Sequence, residues 1–210
     1  MNETTPEKKS NTGRTVLIVL GVVAALCICA AIVGYISLNY LGKKVGQAIQ
    51  TNPDNYDAHY ALGNIHFQRK EYAEAEREFR RCMNLKPDNG EAMNFYGRTL
   101  IELQRLPEAV DVLRKTAALP LYATPDKAYS SLGYALFLMG DNAGALRAYQ
   151  EALKIDPPSV PRALLYLELG RLYIVQGENA KAREALAQVK VLDPQGTAGA
   201  EATKLMQKLT

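Results

Sequence analysis

The sequence predicts an all-α protein: an α-solenoid of four helix-turn-helix repeats with a C-terminal capping helix, preceded by a single transmembrane helix. Two observations predict it. Four copies of one pattern recur, and their glycines, Gly63, Gly97, Gly133 and Gly170, are spaced by 34, 36 and 37 residues. Upstream of them, no side chain from Thr15 to Leu41 is charged.

Residues 1–14 read as a short basic cytoplasmic tail with Lys8, Lys9 and Arg14 against Glu3 and Glu7. Residues 15–41 are predicted to cross a bilayer. Their most apolar stretch, Val16–Leu38, would rise about 35 Å as a helix, enough for a hydrocarbon core of about 30 Å. Tyr35 and Tyr40 lie toward one end, where interfacial aromatics are favoured. A cleaved secretory signal has a shorter apolar region, about 7–15 residues. A lipoprotein signal ending at Cys27 would need a small residue before the cysteine, and Leu26 stands there. The uncleaved anchor is therefore the expectation. Three basic residues precede the span and two, Lys43 and Lys44, follow it, a bias that leaves the tail in the cytoplasm. In a bacterium this is a single-pass inner-membrane protein with its repeats in the periplasm.

Residues 42–55 read as a juxtamembrane half repeat. The run Ala48-Ile49-Gln50-Thr51-Asn52-Pro53-Asp54-Asn55 parallels Cys82-Met83-Asn84-Leu85-Lys86-Pro87-Asp88-Asn89. The membrane helix is expected to continue through Gly42–Thr51 and to pack on the first repeat. A flexible linker is the alternative, because Gly42 and Gly46 each cost about 1 kcal/mol in a helix.

The repeats are assigned to 56–89, 90–125, 126–162 and 163–196. In the first, His59, Leu62, Gly63 and His66 recur at helical spacing, which puts them on one face. Ala75 and Phe79 follow on a second helix, and Pro87 ends it. Gly63 is expected to let the second helix approach at Ala75. Lys70-Glu71, Gln104-Arg105, Gly140-Asp141 and Gly177-Glu178 share one phase, where the chain must reverse. A single helix pair cannot bury its apolar face, so the pairs must stack. Ala198, Ala202, Leu205, Met206 and Leu209 make one stripe in 197–210, expected to cap the fourth repeat.

This pattern resembles the tetratricopeptide repeat (TPR), with large–Leu–Gly–aromatic on one helix and Ala–aromatic–Pro on the next. The usual Trp is replaced by His59, Met93, Tyr129 and Tyr166. The resemblance implies a binding module whose first helices line a concave groove.

Charge and chemistry narrow the function. The net charge is +3, but from Pro53 to Thr210 there are 20 Lys and Arg against 20 Asp and Glu. A neutral domain is not expected to bind nucleic acid, which demands a basic patch. Arg77, Arg80 and Arg81 are interleaved with Glu74, Glu76 and Glu78 and read as a solvated, ion-paired face. No phosphate loop, nucleophile elbow or distinctive carboxylate pair is present, so neither an enzyme nor a small-molecule substrate or cofactor is expected. His59, His66 and Cys82 occupy packing positions of the first repeat and lack zinc spacing, so no metal is expected.

The partner-binding residues are predicted from a stripe about 130° around the first helices from the packing seam. The candidates are Tyr60, Asn64, Asn94, Arg98, Lys127, Tyr134 and Arg171. Arg98 and Arg171 are expected on a solvated surface, dispensable for folding. Phe67, Ile101, Phe137 and Ile174 recur in phase and read as interhelical packing. Chaperone-tail TPR domains grip a terminal carboxylate with a Lys/Asn/Lys/Arg set. Only Asn64 and Lys127 match it, with Tyr60, Phe95 and Ser131 elsewhere, so that partner is not expected.

The segment Leu121-Tyr122-Ala123-Thr124-Pro125-Asp126-Lys127-Ala128 also resembles one in bacterial TPR proteins of type IV pilus biogenesis, pilotin-type factors that help assemble the secretin pore. The resulting expectation is a membrane-anchored TPR scaffold holding a protein or peptide in its groove, with pilus or secretin assembly as the favoured setting. The alternative is an accessory subunit that presents a client to a membrane enzyme or maturation system such as cytochrome biogenesis.

Overall fold

The computed structural model describes residues 32–34 and 36–209, and the chain divides into two compact units, 1–47 and 48–210. Within the first unit the described residues are helical, and Ile32, Val33, Ile36, Tyr40 and Leu41 are exposed. The helical state covers 36–51, Gly42 and Gly46 included. Among the described residues no helix is long and apolar enough to cross a membrane. Most of the expected span, 15–31, lies outside the described residues, as does the tail 1–14.

The second unit is built of helix pairs. The first pair is α1 (Tyr56–Gln68) and α2 (Tyr72–Leu85), and the second is α3 (Gly90–Glu102) and α4 (Leu106–Ala117). The third is α5 (Pro125–Leu138) and α6 (Asn142–Lys154), and the fourth α7 (Arg162–Val175) and α8 (Asn179–Leu192). A last helix, α9 (Thr197–Gln207), follows. No strand occurs among the described residues. The architecture is an all-helical, TPR-like solenoid.

Local chemistry sets the helix ends. Asn55 and Asn89 stand at equivalent N-caps, and their Oδ1 atoms accept from Ala58 N and Ala92 N, both at 3.0 Å. Asp141 does the same for Gly144 N at 2.8 Å. Pro125 opens α5, where its missing amide costs nothing. The four turns inside the pairs share one conformation. Lys70, Gln104, Gly140 and Gly177 all adopt positive φ, at 62°, 59°, 81° and 75°. Only two of these positions carry the glycine that this region favours.

Packing within each pair corrects one expectation. The space beside Gly63 is not filled by Ala75. A β-carbon there would lie 2.8 Å from Phe79 Cε1. Gly97, Gly133 and Gly170 meet Leu113, Tyr149 and Leu186 in the same way, each at 2.6 Å. The glycine therefore receives the large residue one turn beyond the alanine, while Ala75, Ala109, Ala145 and Ala182 are fully buried nearby. Phe79, Leu113 and Tyr149, with Ala75, Ala109 and Ala145, join Tyr96, Leu100, Leu132, Leu136, Leu165 and Leu172 in one apolar core. Ala198 and Ala202 of α9 are buried against Ala163, Leu167, Leu186 and Val189, and Leu205, Met206 and Leu209 pack on the same cluster.

Candidate groove site

The first helices of repeats two to four, α3, α5 and α7, line a hollow of about 390 Å³. Arg98, Ile101, Ser131, Tyr134, Leu164 and Arg171 border it. A neighbouring hollow of about 380 Å³ shares Arg98, Ser131 and Leu164 and extends to Glu91, Asn94 and Lys127. Together they form one trough.

The seven predicted residues divide within it. Tyr134 is 42% exposed on the trough wall. Arg98 is half-buried; its guanidinium carbon lies 5.0 Å from the ring centroids of both Phe67 and Phe95, a stacking that desolvates and orients it. Arg171 donates to Glu168 Oε1 at 2.7 Å and lies 3.7 Å from Glu201 of α9. Lys127 Nζ donates to Glu91 Oε1 at 2.9 Å, so its charge is compensated.

Three of the seven are placed away from the exposed trough wall. Asn94 is only 2% exposed, not a solvated contact, although it lines the floor of the second hollow with Oδ1 unpartnered. Tyr60 and Asn64 lie outside both hollows. Asn64 Nδ2 donates to Tyr60 O at 2.9 Å on its own helix. Tyr60 packs against Tyr56, Phe79 and Phe95, with ring centroids 5.8–6.1 Å away. Nor is Arg171 a free surface charge, because it neutralises Glu168, whose carboxyl burial pushes above its ordinary range and Arg171 pulls back.

Residues outside the predicted set complete the trough. Tyr149 of α6 is 1% exposed and lines the hollow, and its hydroxyl has no hydrogen-bond partner. Burial, with Glu168 adding to it, holds this phenol far above its ordinary pKa, so it stays a donor. A signal for it existed: Tyr149 occupies the position of Phe79, Leu113 and Leu186, which carry no hydroxyl. Val160 enters the trough from the turn between repeats three and four, held by Asp126. That fully buried carboxylate accepts from Ser159 N at 2.6 Å and Val160 N at 2.7 Å, both through Oδ2.

The segment 121–128 is a clasp between repeats. Tyr122 packs over Gly90, and its hydroxyl donates to Glu91 Oε2 at 3.1 Å, beside Thr124 Oγ1 at 3.3 Å. Leu121 projects outward, 98% exposed.

Elsewhere the chemistry is structural. His59 Nδ1 lies 2.6 Å from Glu78 and Nε2 2.9 Å from Pro53 O, whereas His66 pairs with Glu71 at 2.6 Å. The buried Cys82 thiol faces Tyr56 O at 3.8 Å. These three side chains thus have separate partners, and no metal-holding cluster occurs among the described residues. Arg77 pairs with Glu74 at 3.0 Å, Arg80 with Glu76, and Arg81 with Asp54, the ion-paired face expected of that run.

Comparison with known proteins agrees with the repeat pattern. The family model "Tetratricopeptide repeat" matches residues 136–209. A second model, "Anaphase-promoting complex, cyclosome, subunit 3", matches residues 40–116. The chain is similar to the type IV pilus assembly protein PilF of Pseudomonas aeruginosa, 27% identical over 140 residues. That match covers 66% of this chain and 54% of PilF, so the chain spans about half the length of this relative. Among solved structures, PilW, a type IV pilus biogenesis factor, superposes with a TM-score of 0.68 at 22% identity over 79% of each chain. YrrB, a TPR protein with an unusual peptide-binding site, superposes with a TM-score of 0.62 at 22% identity, over 80% of this chain and 86% of its own.

Proposed function

We propose, from the premise that the chain carries tetratricopeptide repeats, that it is a membrane-held scaffold that captures a protein or peptide partner in the trough and serves assembly of a pilus or secretin-type envelope complex. The observation that carries the reading is the trough. It places a half-exposed tyrosine, two arginines and apolar walls on three consecutive first helices. Tyr and Arg are the residue types that most often dominate interface energetics. No activated nucleophile or acid–base pair accompanies them, which favours binding over catalysis.

The pilus setting is supported by the similarity to PilF and by the solenoid shared with PilW. Anchoring is supported by the uncharged run 15–41, whose described apolar residues Ile36, Tyr40 and Leu41 are exposed. The periplasmic placement of the repeats rests on the basic bias across that run.

Photocrosslinking from position 134 in living cells tests the reading. A photoreactive residue replacing Tyr134 is expected to trap a pilus- or secretin-assembly protein, whereas the same group at Arg77 on the ion-paired face is not. Crosslinks only from position 77 would move the binding surface off the trough. Protection of the repeats from protease in intact spheroplasts would overturn the periplasmic placement.

A further inference from the structure

The trough holds donors that the fold does not use. Arg98 makes no ion pair among the described residues; aromatic faces alone hold it. Tyr149 lines the same hollow, with its hydroxyl buried, protonated and without a hydrogen-bond partner. Such a group is costly unless something meets it. The other charges lining the trough are committed. Arg171 is bound to Glu168, Lys127 to Glu91, and Glu102 faces the Tyr72 hydroxyl. A cationic ligand would find only carboxylates already engaged, while an acceptor-only group would satisfy both idle donors. Ionised carboxylates are such groups, and guanidinium recognises them with geometric selectivity.

We infer that the trough between α3, α5 and α7 receives the carboxylate side chain of an aspartate or glutamate in an extended partner segment, taken by the Arg98 guanidinium and the Tyr149 hydroxyl. This rests on the groove-binding reading above. The trough continues past Arg98 to Asn94 on one side and to Arg171 on the other, so it admits a chain running through rather than one ending there. The orphaned Asn94 Oδ1 offers an acceptor for a main-chain N–H farther along. Ile101, Val160 and Leu164 supply apolar contacts for the flanking side chains.

The test uses the ¹⁵N-labelled full chain and three synthetic peptides. The first is acetyl-Ala-Leu-Glu-Leu-Ala-amide, the second its Gln counterpart, and the third the Gln peptide with a free C-terminal carboxylate. The Glu peptide is expected to shift the Arg98 Nε–Hε resonance and to bind about tenfold tighter than the blocked Gln peptide, the scale of hydrogen bonds to a charged group. Arg98→Ala should abolish that preference. Tyr149→Phe should weaken the Glu peptide several-fold while the melting temperature stays level or rises, since only an unpartnered hydroxyl is removed.

Equal binding of the Glu and blocked Gln peptides would overturn the inference yet leave peptide capture standing. Tighter binding of the free-terminus peptide than of the Glu peptide would reassign the site to a chain end. Unchanged affinity in Tyr149→Phe would remove the hydroxyl from the site. No perturbation of trough resonances by any peptide would overturn both the inference and the groove reading.

Discussion

The ring of Tyr149 occupies the space that a β-carbon on Gly133 would need, with Cε1 only 2.6 Å from that position. This contact joins the two helices of the third repeat, and the same Tyr149 lines the trough. Gly133→Ala should therefore cost stability even though alanine is the better helix former. Overpacking of about 1–3 kcal/mol outweighs a propensity gain of about 1 kcal/mol. Thermal unfolding should shift down by a few degrees, and Gly133→Leu should unfold the repeat. A melt of Gly133→Ala at or above that of the parent would show that the seam has slack.

The four reversals inside the pairs make a second, opposite prediction. Lys70 and Gln104 hold φ near +60°, where a β-carbon strains the backbone by about 1–2 kcal/mol. Glycine there removes the strain but adds freedom to the unfolded chain, so each replacement should stabilise by less than about 1 kcal/mol. Gly140→Ala should destabilise by about 1 kcal/mol. Melting curves of the three variants decide it, and a loss in Lys70→Gly would mean that its side chain matters more than its φ.

Those reversals were legible because Gly140 and Gly177 fall in phase with Lys70 and Gln104. Helix faces were legible for the same reason: a period fixes which positions meet. Periodicity says nothing about what a side chain does once buried. Asn94 and Arg98 look equivalent on a helical wheel, yet one is buried in the trough floor and the other stacks on Phe67 and Phe95. Asp126 stood only as one residue of the 121–128 run, because its partners, Ser159 and Val160, lie more than thirty residues away. The Arg171–Glu168 pair was hidden by the assumption that every charge on the stripe is solvated.

Asp126 supplies the third prediction. Its Oδ2 holds the turn that brings Val160 to the trough, and the carboxylate is fully buried. Asp126→Ala leaves two amides without an acceptor, at about 2–3 kcal/mol in all. Asp126→Asn should lose less, since its amide oxygen can still accept. Partner capture should fall in both along with trough geometry. Hydrogen exchange would show the effect as faster exchange at Ser159 and Val160; unchanged protection there would mean that packing alone holds the turn.

Cys82 makes the fourth. Burial, with Glu78 adding to it, pushes its thiol up to about 12. Because the folded value is raised, the associated stability is fully present below the unfolded thiol pKa and is lost only as pH rises through about 12. At pH 8 the native thiol is protonated and shielded, so with Cys27 and Cys29 replaced by serine it should not react with Ellman's reagent. Guanidinium unfolding should release one equivalent. Rapid native reaction would place Cys82 nearer the surface than its burial indicates.

Arg171 carries the last prediction, because its two roles separate with pH. It borders the trough, and it also neutralises Glu168, which burial makes easier to protonate in the folded state than in the unfolded chain. A carboxylate with a raised folded pKa gives stability that is fully present below its unfolded value, about 4.3, and is lost as pH rises through the folded one. Arg171 limits that loss by favouring the ionised form. Arg171→Ala should therefore destabilise more at pH 7 than at pH 4, where Glu168 is largely protonated with or without its partner. Denaturant midpoints of parent and variant at the two pH values measure this directly. The double variant Glu168→Gln, Arg171→Ala should lose the pH dependence and regain part of the stability, which isolates the contribution of Arg171 to partner capture. An Arg171→Ala penalty of equal size at both pH values would mean that the guanidinium stabilises α7 through packing rather than charge.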